Sequence, residues 1–423
     1  MTFRTDTAFA EELDRTDPLA AQRELFHVPR HGDSEEIYFC GNSLGLQPKS
    51  AARYIQEELE DWQRLAVKAH FDGRRPWMPY HEFFTERTAR VVGAKPIEVV
   101  NMNSLTVNLH LMMTSFYRPT RERYKIVIER AAFPSDRYAV VSQLRMHGLN
   151  PDEALIELRP TRDSAVIREE DIEALLQTEG ERIALLLLPG VQYYSGQVFD
   201  IARLTRAGHA QGCTVGFDLA HATGNVPLQL HDWGPDFAVW CNYKYMNSGP
   251  GAVAGCFVHE RHAHDFERPR LAGWWGHDKS SRFRMGPDFV PMPGAEGWQL
   301  SNPPILGLTP LLASLEIFDD VGMPALREKS LQLTGYLDFL LRERLHDRIE
   351  IITPSNPGQR GCQLSLRVRA NRDRARNVYD RLEQQGVTCD WREPDVIRVA
   401  PVPLYNRFMD VYRFVEILTG LFD

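Results

Sequence analysis

No stretch of the 423 residues is apolar for long enough to cross a membrane: the longest run, Ile183 to Pro189 (IALLLLP), falls far short of the roughly 20 residues a spanning helix needs. The six cysteines (Cys40, Cys213, Cys241, Cys256, Cys362, Cys389) are scattered and form no C-x-x-C pair. That argues against a zinc ribbon or a disulfide scaffold and predicts reduced, mostly buried thiols. Positive charge is not in excess either. Forty-nine Lys and Arg against 57 Asp and Glu leave a formal charge of -8, a poor match for a phosphate backbone as partner. Proline (27) and glycine (29) are close to average usage, so low-complexity and collagen-like classes drop out. The first twenty residues carry Asp6, Glu11, Glu12, Asp14 and Asp17 and no apolar h-region, so no secretory signal is visible and a cytoplasmic setting is expected. What remains, at 43% apolar and 25% charged residues, is a soluble globular chain with a well-filled core.

From Ala94 to about Val258, short β-rich runs alternate with longer amphipathic stretches: Glu98–Asn101, Tyr124–Glu129, Ile183–Leu188, Thr214–Asp218, Asp236–Trp240 and Ala252–Val258. Runs of this length, buried on both faces, predict a mostly parallel sheet covered by helices. Ile201 to Gln211 reads as a helix closed by Gly212. Upstream, Pro48 opens a helix on which Ile55, Leu59 and Trp62 share one face. After Pro310 the pattern changes. Leu326–Leu345 is a long amphipathic helix, and Cys362–Val368 alternates with period two, the mark of a strand with one wet face. A helix at Arg374–Gln385, a strand at Val396–Val399 and a helix at Phe408–Leu421 complete a second α/β lobe. With no internal repeat or long linker, two interlocked lobes are expected.

The most informative stretch is Gly216 to Gly251, GFDLAHATGNVPLQLHDWGPDFAVWCNYKYMNSGPG. Asp218 ends one predicted strand and Lys244 lies just past the end of another, at the edge where open α/β sheets bind ligands. Pyridoxal phosphate needs a lysine to hold it as a Schiff base and an acid to keep its pyridine nitrogen protonated. An Asp and a Lys in such places also occur as surface salt bridges. Ser104-Leu105-Thr106 follows a strand and starts an apolar-periodic segment, where backbone N–H groups suit a phosphate or serve an ordinary N-cap. Phe133-Pro134-Ser135-Asp136 follows the strand Tyr124–Glu129, so Phe133 can stack on a pyridine ring or pack in the core.

Two other motifs point elsewhere. Gly41-Asn-Ser-Leu-Gly45 matches G-x-S-x-G, which would make Ser43 an esterase nucleophile, but only one short strand-like run, Ile37–Cys40, precedes it. His259-Glu-Arg-His-Ala-His264 looks like a metal cluster, yet the spacing does not satisfy H-E-x-x-H, and a solvated, cationic helix start is expected with no metal.

Taken together, Asn103–His110, Phe133–Asp136, Asp218–Gly251, Gly273-Trp-Trp-Gly-His277, Ser301-Asn-Pro-Pro304 and Ile397–Asn406 resemble the kynureninase family, in order along nearly the whole chain. The resemblance implies a fold type I pyridoxal-phosphate enzyme, α/β, with a large cofactor domain over residues 48–310 and a small domain built from 1–47 and 311–423. It implies hydrolysis of L-kynurenine to anthranilate and L-alanine by a homodimer. Lys244 matches the Schiff-base lysine and proton shuttle, Asp218 the partner of the pyridinium nitrogen, and Tyr243 a phosphate ligand and late proton donor. Leu105, Thr106, Trp274 and Asn302 match positions around the phosphate, the last two reaching in from a second subunit. Phe133, with Pro134 and Ser135, matches the stacking segment, and Asp136 and His221 match further polar contacts to the cofactor. Arg398 matches the grip on the substrate carboxylate, and His70 and Ser43 match positions near its aromatic end. Pro189 departs from the pattern: relatives can carry a hydroxyl residue at this strand end, and proline offers neither hydroxyl nor N–H. An aminotransferase or a cysteine desulfurase shares the cofactor machinery, although a desulfurase needs a mobile cysteine and none sits in an evident exposed loop. The resemblance implies kynurenine or its 3-hydroxy form as substrate.

Overall fold

The structure, a computed structural model, describes residues 2–160 and 164–422. Seven strands form the central sheet: β1 (Val99–Asn101), β2 (Lys125–Glu129), β3 (Leu155–Leu158), β4 (Ile183–Pro189), β5 (Thr214–Asp218), β6 (Phe237–Trp240) and β7 (Gly255–Val258). Their order is β1-β7-β6-β5-β4-β2-β3. Only β7 runs against its neighbours; every other pairing is parallel. The apolar runs behave as their composition demands. All of Ile183–Leu188 is buried, with Leu186 and Leu188 in one helix-covered core and Leu185 and Leu187 in the other. The strand β3, with three of its four residues only half-buried and Glu157 breaking its apolar run, is an edge strand that does not stand out in the sequence. The helix Ile201–Ala210 starts where the Asp200 carboxylate accepts from the Arg203 N–H at 2.9 Å, and it stops at Gly212, whose φ of +73° suits glycine.

The helix after Pro48 forms (Ser50–Leu65), but its buried face is turned by one residue, roughly 100°, from the one its apolar pattern predicts. Its buried residues are Ala51, Tyr54, Glu58 and Asp61, while Leu59 and Trp62 are exposed. Glu58 is drawn inward by three donors, Arg75 Nε at 2.7 Å, Trp77 Nε1 at 2.8 Å and Tyr80 Oη at 3.0 Å. Asp61 accepts from the Arg74 N–H at 2.6 Å and from Arg64 at 3.0 Å. A satisfied carboxylate network fills the place expected of Leu and Trp.

The second lobe carries an antiparallel sheet of β8 (Ile349–Ile351), β9 (Leu364–Val368), β10 (Asp390–Arg392) and β11 (Val396–Val399), in the order β8-β9-β11-β10. Its core takes in the long helix Met323–Leu345 from Leu333 onward, the last helix Phe408–Gly420, and Phe9, Ala10 and Leu13 near the N-terminus. The N-terminal helix Thr7–Thr16 is pinned there: the Asp14 carboxylate accepts from Phe408 N–H at 2.6 Å and Met409 N–H at 3.1 Å, capping the last helix. The face of β9 expected to be wet is covered at Gln363 and Ser365, and only Arg367 stays half-exposed. Ser365 is fully buried, with its hydroxyl donating to Tyr194 O, and Gln363 donates to Tyr193 O at 3.0 Å, because the loop after β4 lies across this sheet.

Candidate active site

Three strand ends and two helix starts meet around one cavity. Glu129, Pro189 and Asp218 are the last residues of β2, β4 and β5. The chain leaves β1 through Asn103, at a φ of +50°, and enters the helix Leu105–Phe116; after β2 it enters the helix Pro134–Met146. Both helices begin at the cavity wall, where Thr106 Oγ1 and Ser135 Oγ touch at 2.8 Å. Two converging N-termini, each bringing a hydroxyl to the cavity, suit a phosphate.

Lys244 enters on the loop after β6, which is fixed by buried amides. Asn242 donates to Asn101 Oδ1 at 3.0 Å and Val253 O at 2.7 Å, and accepts from Trp240 Nε1 at 3.0 Å. Ser248 Oγ closes the turn on Asn242 O at 2.6 Å. The G-x-S-x-G segment packs against this same loop: Gly45 N–H donates to Tyr243 O at 2.8 Å, and a side chain at Gly45 would collide with Lys244 O and Asn247. Ser43 itself is exposed and makes no side-chain hydrogen bond among the described residues, so it has no base to activate it as a nucleophile.

The Lys244 Nζ lies 3.1 Å from His221 Nε2 and 5.9 Å from the ring centres of both Phe133 and Tyr243. Burial, with the charges of Lys244, Arg398 and Arg392, pushes His221 well below its usual pKa and keeps it neutral. With Nε2 facing Lys244 Nζ, the other ring nitrogen, Nδ1, is buried without a partner. Asp218 is 8% exposed and accepts from the Ala220 N–H at 2.7 Å. Asp136 lines the same cavity. Burial and the Asp218 charge hold Asp136 well above the usual carboxylate range, so Asp136 is the partner that keeps the proton. Burial also pushes Glu129 up to about 8, aided by the Asp218 charge, and raises Tyr243 above its ordinary value.

The residues present fit pyridoxal phosphate: a lysine in the cavity, a buried carboxyl pair on its floor, an aromatic face, two helix starts, and orphaned polar atoms at His221 Nδ1 and Asp136 Oδ1. Leu105, Thr106, Phe133, Ser135, Asp136, Asp218, His221, Tyr243 and Lys244 all line this one space. Pro134 supplies the first residue of the second helix. The other predicted residues lie outside it. Trp274, 41% exposed, borders a separate surface hollow, and Asn302 is exposed. His70 is half-buried, with Nδ1 at 3.0 Å from Val67 O and its ring against Trp77. Arg398 is buried on β11, where it donates to Tyr193 O at 2.7 Å and pairs with Asp390.

Three residues escaped the sequence reading. Glu129 ends a strand that was recognised, and Tyr193 follows β4 by four residues, so the strand-end rule could have flagged both. Tyr193 lines the cavity and packs edge-on to Phe133 at 5.4 Å. Asp390 reaches Arg398 only through cross-strand register. Of the histidine run expected to be solvated, His264 is exposed, while His259 and His262 are partly buried and held. His262 pairs with Asp236 at 2.8 Å, and His259 accepts from Arg261 N–H at 3.1 Å while its Nε2 meets His231 O at 3.2 Å. Glu98, His231 and His259 do gather, but those hydrogen bonds already occupy the His259 nitrogens.

Comparison with known proteins decides the family. The chain is 59% identical over 415 residues to a kynureninase of Koribacter versatilis, covering 98% of this chain and 97% of that protein. The chain belongs to the kynureninase family. A kynureninase of Myxococcus xanthus is 58% identical over 419 residues, covering 99% and 98% of the two chains. The family model for the kynureninase C-terminal domain matches residues 326–418. Fold relatives reach further. A cysteine desulfurase of Thermococcus onnurineus superposes with a TM-score of 0.76 at 17% identity, over 99% of this chain and 98% of that one. One from Escherichia coli gives 0.77 at 16% identity, over 96% and 98%. The chain thus has the fold type I architecture of pyridoxal-phosphate enzymes, which the kynureninase family shares with desulfurases.

Proposed function

We infer that this chain is a pyridoxal-phosphate-dependent hydrolase that cleaves L-kynurenine to anthranilate and L-alanine, a step of tryptophan catabolism. The observation that carries the reading is full-length identity near 58% to curated kynureninases, joined to a cavity in which Lys244, Asp218 and two helix starts converge. Lys244 would hold the cofactor, Asp218 its pyridine nitrogen, Thr106, Ser135 and Tyr243 its phosphate, and Phe133 one ring face. Bound there, pyridoxal phosphate supplies an electron sink for charge developing at the substrate Cα.

The chain's own groups supply the rest. Cleavage between Cβ and Cγ requires removal of the Cα proton, addition of water to the γ-ketone, and an acid for the departing alanyl carbon. Lys244 Nζ takes the proton at Cα once substrate displaces it, and the neutral His221 beside it can receive a hydrogen bond without competing for charge. Tyr243, which burial keeps protonated, is the donor for the late step. Arg398 binds the α-carboxylate, and Ser43 and His70 define the aromatic end of the substrate.

The active form is a homodimer. Support comes from Trp274 and Asn302, which lie away from the cavity of their own chain, and from the apolar residues Leu59, Trp62, Val67 and Phe71, exposed on one N-terminal stretch. A cytoplasmic setting belongs to the same reading and accords with six free thiols. Borohydride reduction followed by peptide mapping tests the site: a pyridoxyl group on Lys244 is the expected result, and one on any other lysine contradicts the assignment.

A further inference from the structure

Arg398 is 1% exposed, yet its guanidinium is incompletely satisfied. One nitrogen donates to Tyr193 O at 2.7 Å and another meets Asp390 Oδ2, while Nε–H is buried with no partner. Burial alone pulls this arginine down to about 10, so an uncompensated charge here is costly. Asp390 sits directly opposite Arg398 on the neighbouring strand, and its same oxygen also lies 3.1 Å from Arg392 Nη2. One carboxylate oxygen thus bridges two arginines. Both guanidiniums stand 5.9 Å from the ring centre of Tyr193, which lines the cavity, and the buried Nε of Arg392 has no partner either. Two buried Nε–H groups beside the cavity-lining Tyr193 are thus left without an acceptor.

We propose that Asp390 is a positioning residue that stands in for the substrate's α-carboxylate on Arg398 in the free enzyme, and that it withdraws onto Arg392 when substrate arrives. This rests on the reading of Arg398 as the carboxylate grip. In the free enzyme Asp390 compensates a buried charge, and in the complex the substrate does so with a two-oxygen contact. The internal carboxylate lowers apparent affinity by the fraction of molecules in which it occupies the grip. Arg392 sets that fraction by offering Asp390 an alternative partner.

The test is steady-state kinetics of the cofactor-loaded enzyme with kynurenine, alongside inhibition by kynuramine, the same molecule without its α-carboxylate. Asp390→Asn is expected to lower KM for kynurenine by about tenfold with kcat nearly unchanged, while kynuramine inhibition stays the same. Arg392→Gln, at a half-exposed site, is expected to raise KM by roughly fivefold, and in the Asp390→Asn/Arg392→Gln double variant that increase vanishes. A higher KM in Asp390→Asn, with Arg398→Ala also impaired, overturns the proposal while keeping the grip, because Asp390 would then hold Arg398 in place. An unaltered KM in Arg398→Ala removes the grip itself and the proposal with it. Should Asp390→Asn fail to fold, an unchanged KM in Arg392→Gln is sufficient to overturn it.

Discussion

Asp136 and Asp218 line the same cavity, and burial together with the Asp218 charge holds the Asp136 carboxyl well above the usual carboxylate range, leaving the negative charge to Asp218. This arrangement directs the negative charge to the residue that the pyridine nitrogen would face. Asp218→Asn is therefore expected to keep the cofactor bound but to lower kcat by at least two powers of ten, as an uncharged amide cannot hold the nitrogen protonated. Full activity in that variant would remove Asp218 from the mechanism.

Lys244→Ala removes anchor and proton carrier together. Turnover is expected to fall by several powers of ten, while circular dichroism and binding of free cofactor persist, because the Asn242 and Ser248 contacts that shape the loop do not involve the lysine side chain. Near-parental turnover of kynurenine would contradict the assignment.

Glu129 gives a pH signature. Its folded pKa of about 8 lies above the ordinary 4.5, so its contribution to stability is fully present below pH 4.5 and is lost as pH rises through 8. In the cofactor-free chain, Glu129→Gln is expected to be more stable than the parent at pH 9, by on the order of a few kcal/mol, with the gap closing toward pH 5. Urea melts at the two pH values read this directly, and a gap that does not vary with pH would show that Glu129 ionises normally.

The proposed dimer, with Asn302 reaching into its partner's site, predicts complementation. Lys244→Ala and Asn302→Ala are each expected to be impaired, and refolding an equal mixture should restore up to about one quarter of parental activity through hybrid dimers with one intact site. No recovery, with dimers verified by ultracentrifugation, would place Asn302 in the site of its own chain.

Much of this site was legible in the sequence because its chemistry sits at strand ends and helix starts. Asp218 closes an apolar run, Lys244 follows another, and Thr106 and Phe133 each precede or open a helix. The sheet was legible for the same reason: β4 is apolar without interruption. What stayed hidden depends on partners distant in sequence. Glu58 and Asp61 face inward because Arg74, Arg75, Trp77 and Tyr80 return to meet them, and periodicity alone put Leu59 and Trp62 there instead. Ser365 is buried by a loop some 170 residues earlier, and Asp390 finds Arg398 only once two strands are in register.

The reaction itself offers the most direct test: purified, cofactor-loaded chain incubated with L-kynurenine and no keto acid, with anthranilate followed by fluorescence and alanine by amino-acid analysis. Equal amounts of anthranilate and L-alanine, formed at a rate that collapses in Lys244→Ala, are the predicted result. A strict requirement for a keto-acid acceptor, or turnover that survives loss of Lys244, would contradict the account.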